Sequence, residues 1–304
     1  MIAERDGTIW SLDRSDGTQR VFNELNLASG RELIDIASDV IGGFSLFPVA
    51  LIRDNSGMYL ATGLNSGGSN EFMIASGDPD GARGSVGYIT GNAPGGSGWL
   101  LVAIGDPGGQ RAQTAGGYGS ASFLPIPDIS STAGDLIPFA TGLRNPSAIF
   151  NAASTFFLAD QGGSEEHEIN LLQSVAGQQL NFGWPFVEGT VTVASGAPSN
   201  LTSPEFTYRF GTSKLQGQGV RGGVAVNSGF FVPASLTDRL IIGDENGSIF
   251  AFGLTSSVPG IENRSDDLVP DVGTIDSVVD IERDAGGRIY ILDADGELFL
   301  IESA

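Results

Sequence analysis

Asp160, Glu165, Glu166 and Glu168 put four carboxylates within nine residues. Brought close together such groups repel, and unless water solvates them they need a cation. One reading is calcium, held by Asp160, Glu166 and Glu168 together with backbone carbonyls. The other is a water-exposed acidic loop; the spacing is not that of an EF-hand. His167, the only histidine of the chain, stands inside the same run. A general base or metal ligand is its chemical reading, and a solvent-exposed ring is its plain one.

Little other catalytic chemistry is available. There is no cysteine, so disulfides, thiolate metal sites and thiol nucleophiles are excluded. One histidine without a flanking nucleophile motif supplies no Ser-His-Asp set, and no Gly-Lys-Ser phosphate loop is present. The Asp-x-Asp-Gly pieces at 78–81 and 293–296 read as hairpin turns rather than metal sites. Trp10 and Trp99 lie in apolar runs and read as packing residues, as does Trp184 before Pro185.

The formal charge is -21, from 36 acidic and 15 basic residues. Nucleic acid is excluded as a partner, because phosphate binding needs basic surface. Lys214 is the only lysine. An acidic, lysine-poor surface suits a salty medium, where screening weakens self-repulsion; a GC-rich genome explains it equally well. No apolar run approaches the ~18 residues of a membrane span. Met1 to Arg5 does not start a secretory signal, so the expectation is a chain matured, excised or never exported.

The elements that position these residues are strands. Glycine, 45 residues in all, is spread along the chain and marks many tight turns. A turn followed by an apolar strand recurs at Asp6-Gly7, Asn55-Ser56-Gly57, Gly96-Ser97-Gly98, Ser154-Thr155, Asn246-Gly247 and Gly286-Gly287. A weaker copy is expected between Phe206 and Val226. Repeats of ~40–50 residues with several strands each point to a propeller. We expect an all-β chain, a six-bladed β-propeller forming one domain over 1–304. A pair of β-sandwiches fits the spacing less well. The one helical turn expected near the acidic run lies within Ser164 to Gln173.

Five landmarks in order then carry a resemblance. They are Gly105-Asp106-Pro107-Gly108-Gly109, Gly142-Leu143-Arg144-Asn145-Pro146, Asp160-Gln161-Gly162, Glu168-Ile169-Asn170-Leu171 and Asn181-Phe182-Gly183-Trp184-Pro185. Arg221-Gly222-Gly223 and Gly243-Asp244-Glu245-Asn246-Gly247 follow. The series resembles the glucose/sorbosone dehydrogenase family, six-bladed propellers that use pyrroloquinoline quinone and calcium. The resemblance covers most of the chain, which begins inside the family's expected first blade. It implies cofactor contacts from Arg144, Asn145, Gln161 and Gly162. The plain reading is that Arg144 braces neighbouring blades and Asn145-Pro146 makes a turn.

Three departures accompany the resemblance. The family's histidine base belongs in a segment that here reads Gly84 to Thr90, without histidine. Its cofactor-contacting lysine falls near Glu245, a reversal of charge. Its late arginines fall around Ser277 to Val279. Two functions follow. One is a binding or structural module, glycan-binding or a subunit of a larger extracellular assembly, that has lost the base. The other is a quinone- and calcium-dependent aldose dehydrogenase with a replaced base, for which Tyr88, Asp106 or a carboxylate from another loop are candidates. Sugars, glycans or other protein subunits are the expected partners. The expected location is extracellular, periplasmic or on the outside of a larger assembly.

Overall fold

In a computed structural model the described residues are 1–13, 18–38, 40–41, 44–45, 48–65, 68–79, 81–89, 99–125, 131–152, 155–172, 179–226, 232–254, 260–284 and 286–302. Among them there are strands and three single-turn 3-10 helices, and no α-helix. The chain divides into two compact units. The first is Met1–Asn145 with Ala176–Asn181, and the second is Pro146–Val175 with Phe182–Ala304.

The first unit holds three sheets. β1 (Ile2–Ala3), β2 (Thr8–Leu12) and β3 (Gln19–Glu24) form one. β4 (Glu32–Ala37) begins the second, which continues past the small pair β5 (Val40–Ile41) and β6 (Phe44–Ser45). Its other strands are β7 (Val49–Asp54), β8 (Gly57–Asn65) and β9 (Gly68–Ser76). The third has β10 (Gly84–Ile89), β11 (Trp99–Ile104), β12 (Ser120–Pro125) and β13 (Ile137–Thr141) in order. β17 (Leu180–Asn181) is added parallel to β13.

The second unit repeats the plan. β14 (Pro146–Ala152), β15 (Thr155–Asp160), β16 (Glu166–Leu171) and β20 (Phe206–Phe210) run antiparallel, with β21 (Gln216–Gly217) parallel to β20. The hairpin of β18 (Val187–Glu188) and β19 (Val191–Thr192) lies between β16 and β20 in sequence. β22 (Val220–Val226), β23 (Arg239–Asp244), β24 (Ile249–Gly253) and β25 (Glu262–Asn263) form the next sheet. β26 (Val278–Arg283), β27 (Ile289–Asp293) and β28 (Leu298–Ile301) form the last. These six sheets are the blades of a six-bladed β-propeller, three in each unit.

Composition explains the layering. The second strands of the blades, such as Val49–Asp54, Trp99–Ile104 and Arg239–Asp244, are continuous apolar runs because both of their faces are covered. Leu51, Leu60 and Leu100 anchor the first unit's core, and Leu240, Ile242 and Phe250 anchor that of the second.

An acid closes most of these runs: Asp54, Asp160, Asp244 and Asp293 end their strands, and Asp106 follows Ile104 by two residues. Where their bonds are seen, these carboxylates accept backbone N–H groups of adjacent turns. Ser56 donates to Asp54, Arg111 to Asp106, Gln218 and Gly219 to Asp244, and Asp276 and Ser277 to Asp293. Turns of the Asn-Gly kind sit beside them. Gly247 has φ +79°, and a Cβ there would lie 2.6 Å from the Ile275 carbonyl, so only glycine fits.

The turn signals of the sequence fall on hairpins, but not on equivalent ones. Asp6-Gly7 joins β1 to β2 and Gly286-Gly287 joins β26 to β27, whereas Gly57 and Asn246-Gly247 join second to third strands. Gly96 to Gly98, Ser154, Thr90 and Asp80 lie outside the described residues. The stretch Phe206 to Val226 holds β20, β21 and β22. Among the described residues 164–172 there is no helical turn; Glu166–Leu171 is strand β16.

Candidate functional site

The acidic run is a strand with two faces. In β16, Glu166, Glu168 and Asn170 point one way and His167 and Ile169 the other, as period-2 alternation requires. Asp160 of β15 is the cross-strand partner of Glu168 and shares its face. Glu166, Glu168 and Asp160 are all buried, and only Glu165 of the original four is exposed. The water-exposed acidic loop is therefore overturned for three of its four members. The cause is the β18–β19 hairpin, which covers this face.

The hairpin brings its own hydrogen bonds. Gly189 N–H donates to Glu168 Oε1 at 2.5 Å, and Thr190 donates both its N–H and its hydroxyl to Glu166 Oε2 at 2.8 Å. Gly189, at φ +62°, can come this close because it has no side chain; a Cβ would lie 2.4 Å from Glu166 Oε2. A fourth buried carboxylate, Glu188, accepts the N–H groups of Gly163, Ser164 and Glu165 at 2.9–3.1 Å. Among the described residues no group of three or more His, Asp or Glu side chains is arranged to hold a metal ion.

Burial, with the neighbouring charge of Asp160, pushes the Glu168 carboxyl up to about 8. Asn170 is fully buried; its Nδ2 donates to Glu168 Oε2 at 3.0 Å while its Oδ1 has no partner. Turned over, the amide would set Oδ1 against a protonated Oε2 and leave Nδ2 without a partner instead.

The opposite face of β16 belongs to the apolar core. His167 is completely buried, its ring 4.7 Å from that of Tyr208 and 5.6 Å from that of Phe210. Gly162 N–H donates to Nδ1 at 3.2 Å, and Nε2 lies 3.4 Å from the Gly217 carbonyl. An N–H can donate only to an unprotonated nitrogen, so the proton sits on Nε2 and points at Gly217. The solvent-exposed ring expected from sequence is corrected: a partner for each nitrogen makes the burial tolerable.

Gln161 and Gly162 follow directly on Asp160. Gly162 is packed so tightly that a Cβ would collide with the Glu166 carbonyl. Gln161 Nε2 donates to the Gln218 carbonyl at 3.2 Å. Beside it Arg221 Nη2 meets Glu245 Oε2 at 2.5 Å. Gly219 lies against both side chains, since a Cβ there would be 2.6 Å from Glu245 Oε2 and 2.9 Å from Gln161 Nε2. Gln161, Arg221 and Glu245 thus form one polar group on the second unit.

Arg144 and Asn145 end the first unit. Asn145 is buried and its Oδ1 accepts the Arg83 N–H at 2.8 Å. Gly105 packs on the Arg144 carbonyl, and the Asp106 N–H reaches the Leu143 carbonyl at 3.4 Å. The pair thereby ties the Gly142 to Asn145 segment to the loop after β11. Of the candidate replacement bases, Tyr88 is buried in the apolar cluster of the first unit. Asp106 is buried too, and accepts the backbone N–H of Arg111 while facing its guanidinium.

Sequence reasoning missed Glu188, Tyr208 and Asp244, all buried. Tyr208 donates its hydroxyl to Asp244 at 2.8 Å. The alternation Glu-His-Glu-Ile-Asn-Leu was a legible strand signal for β16. Nothing local to Glu188 announces that it will serve residues 163–165.

The comparison with solved structures finds the same six-bladed propeller fold. The PQQ-bound aldose sugar dehydrogenase from Streptomyces coelicolor superposes with a TM-score of 0.69 at 14% identity, over 97% of this chain and 85% of that one. The soluble aldose sugar dehydrogenase from Escherichia coli, in its apo form, gives 0.59 at 17% identity, over 97% and 90%. A calcium structure of a Trichoderma reesei carbohydrate-active enzyme of family AA12 gives 0.57 at 12% identity, over 98% and 93%. No protein-family model and no curated protein matches the sequence. At these identities the likeness establishes the fold.

Proposed function

We propose that the chain is a sugar-dehydrogenase-like propeller that works as a binding module for glycans or as a subunit of a larger assembly, and does not run quinone chemistry. The observation that carries this reading is His167. Sugar oxidation by a quinone needs a base at the reacting hydroxyl, and histidine suits that role. The one histidine is buried with both nitrogens engaged. Tyr88 and Asp106 are buried as well.

The quinone itself fits poorly. Its carboxylates call for unpaired cationic forks, yet Arg221 is already matched to Glu245. Two groups that the resemblance offers to a cofactor are in use: Asn145 Oδ1 accepts the Arg83 N–H, and Gln161 Nε2 donates to the Gln218 carbonyl. We therefore derive no step through the quinone.

Calcium at Asp160, Glu166 and Glu168 is a separate proposal, and it requires the ion to displace the proton of Glu168. A ligand bound only by the native state raises its melting temperature. Excess chelator should then lower it, and an unchanged melting curve removes calcium from the account. An outside location suits a sugar-binding role. Among the described residues no helix is long and apolar enough to cross a membrane.

The deciding experiment adds pyrroloquinoline quinone and calcium to the purified chain, follows quinone binding by fluorescence, and follows dye reduction with several aldoses. The expected result is neither saturable quinone binding nor turnover. Turnover of ~1–10³ per second would overturn the binding-module reading in favour of the dehydrogenase.

A further inference from the structure

A cleft of about 400 Å³ opens on the first unit, between β9 and the β12–β13 edge of the next sheet. None of its lining residues belongs to the set Arg144, Asn145, Gln161 and Gly162. Its size falls within the range of small-molecule sites, roughly 300–1,000 Å³. Ile74, Leu136 and Pro138 supply an apolar wall, and Ser76, Thr114 and Ser122 bring three hydroxyls to it.

The cleft also holds one fixed guanidinium, ion-paired through Nη2 with the buried Asp106 and open at its other nitrogens. The Arg111 guanidinium carbon lies 3.8 Å from the centroid of the Tyr118 ring, in cation–π contact. Tyr118 is in turn held by its hydroxyl, which donates to the Gly77 carbonyl at 2.7 Å. Arg111 Nη2 is 3.2 Å from the Asp78 carbonyl and 3.4 Å from Asp106 Oδ1. Both contacts fall on Nη2. Among the described residues, no hydrogen bond uses Nε or Nη1.

The rim is built to stay open. Gly116 and Gly117 have φ of +82° and +84°, and a Cβ on either would point at Pro138 or Ala75 across the cleft, at 3.6–3.7 Å. Side chains there would both strain the backbone and narrow the opening. In a protein of charge -21, an immobilised arginine with spare donors beside hydroxyls and an apolar wall selects for an anion that also carries hydroxyls.

We propose that this cleft binds a carboxylate-bearing sugar of monosaccharide size, a hexuronate, as a free sugar or as the end of an acidic glycan. The carboxylate takes the Nη1 donor of Arg111, whose Nη2 is already held by Asp78 and Asp106. The ring hydroxyls meet Ser76, Thr114 and Ser122, and the C–H face lies on Ile74, Leu136 and Pro138. The inference rests on the glycan-binding half of the reading above and adds its site and ligand class.

The test is calorimetric titration of the full chain with sodium D-glucuronate and with D-glucose, on the wild type and on Arg111→Gln and Thr114→Trp. Thr114 is exposed, so its replacement blocks the mouth without disturbing the core, which guards against an Arg111→Gln that fails to fold. The expected result is saturable glucuronate binding, with glucose at least tenfold weaker. Both variants should lose at least tenfold in glucuronate affinity. If the two sugars bind alike and neither variant alters them, the cleft is overturned while glycan binding stands. If neither sugar binds, the cleft is overturned, and the quinone and aldose experiment above still decides the binding-module reading.

Discussion

Gly162 donates its N–H to Nδ1 of His167 at 3.2 Å, across the turn that joins β15 to β16. This bond ties the Gln161-Gly162 landmark to the apolar core rather than to solvent, and it spends the only imidazole in the chain on structure. His167→Phe keeps the volume and the ring contacts with Tyr208 and Phe210 but removes both polar atoms. The Gly162 N–H would then be buried without its partner, at about 1–3 kcal/mol, while the Gly217 carbonyl keeps the Gly211 N–H. We expect a lower denaturant midpoint with an unchanged m-value, which would mark a stability effect and not a change in compactness. A histidine acting as an exposed base would show almost no such loss.

Glu168 makes stability depend on pH. Its carboxyl is pushed up to about 8 by burial and by Asp160, so the fold binds its proton more tightly than the unfolded chain does. That contribution is complete below the ordinary glutamate value of about 4.3 and is lost as pH rises through about 8. Glu168→Gln stays neutral at every pH, and its amide can donate to the unpartnered Asn170 Oδ1. The variant should match the wild type near pH 4 and exceed it by on the order of 5 kcal/mol near pH 9. Parallel stability–pH curves for the two proteins would show that Glu168 carries no shared proton.

The blades were legible because their signals are local. Continuous apolar runs such as Trp99 to Ile104, and Asn-Gly turns such as Asn246-Gly247, declare strands and hairpins within a few residues. The Gly-Leu-Arg-Asn-Pro and Asp-Gln-Gly landmarks kept their order and so pointed to the right propeller. The state of the site was not legible, because it depends on what covers it. The acids of β16 read as a solvated loop until a hairpin some twenty residues later in sequence places the N–H groups of Gly189 and Thr190 over them. Even so, the alternation from Glu166 to Leu171 argued for a strand in place of a helical turn. The pairing of Arg221 with Glu245 also joins residues whose proximity only the fold creates.

Gly189 is the contact on which that cover depends. Its positive φ and its approach to Glu166 leave no room for a methyl group. Gly189→Ala forces the left-handed conformation on a residue with a Cβ and pushes the hairpin away from two buried carboxylates. Together these effects should cost about 2–4 kcal/mol. Hydrogen exchange adds a local readout: the amides of Gly189 and Thr190 should lose protection before those of β23. If the variant melts like the wild type, the hairpin does not seal the acidic face.

Asp244 is the acid that ends β23, and it is completely buried. It accepts the Tyr208 hydroxyl at 2.8 Å, the N–H groups of Gln218 and Gly219 at 2.8 and 3.1 Å, and that of Asn246 at 3.1 Å. Burial and the charge of Asp244 hold the Tyr208 phenol well above its ordinary pKa, so it stays a donor. Tyr208→Phe removes one donor and leaves the backbone cage intact, a loss of about 1 kcal/mol. Asp244→Ala strands four donors at once and should cost about 3–5 kcal/mol. In the double variant the phenol is already gone, so the two losses should sum to more than the measured total. Simple additivity would mean that the hydroxyl and the carboxylate do not act as one unit. It would then be the backbone cage alone that fixes the 217–219 segment beside Gln161 and His167.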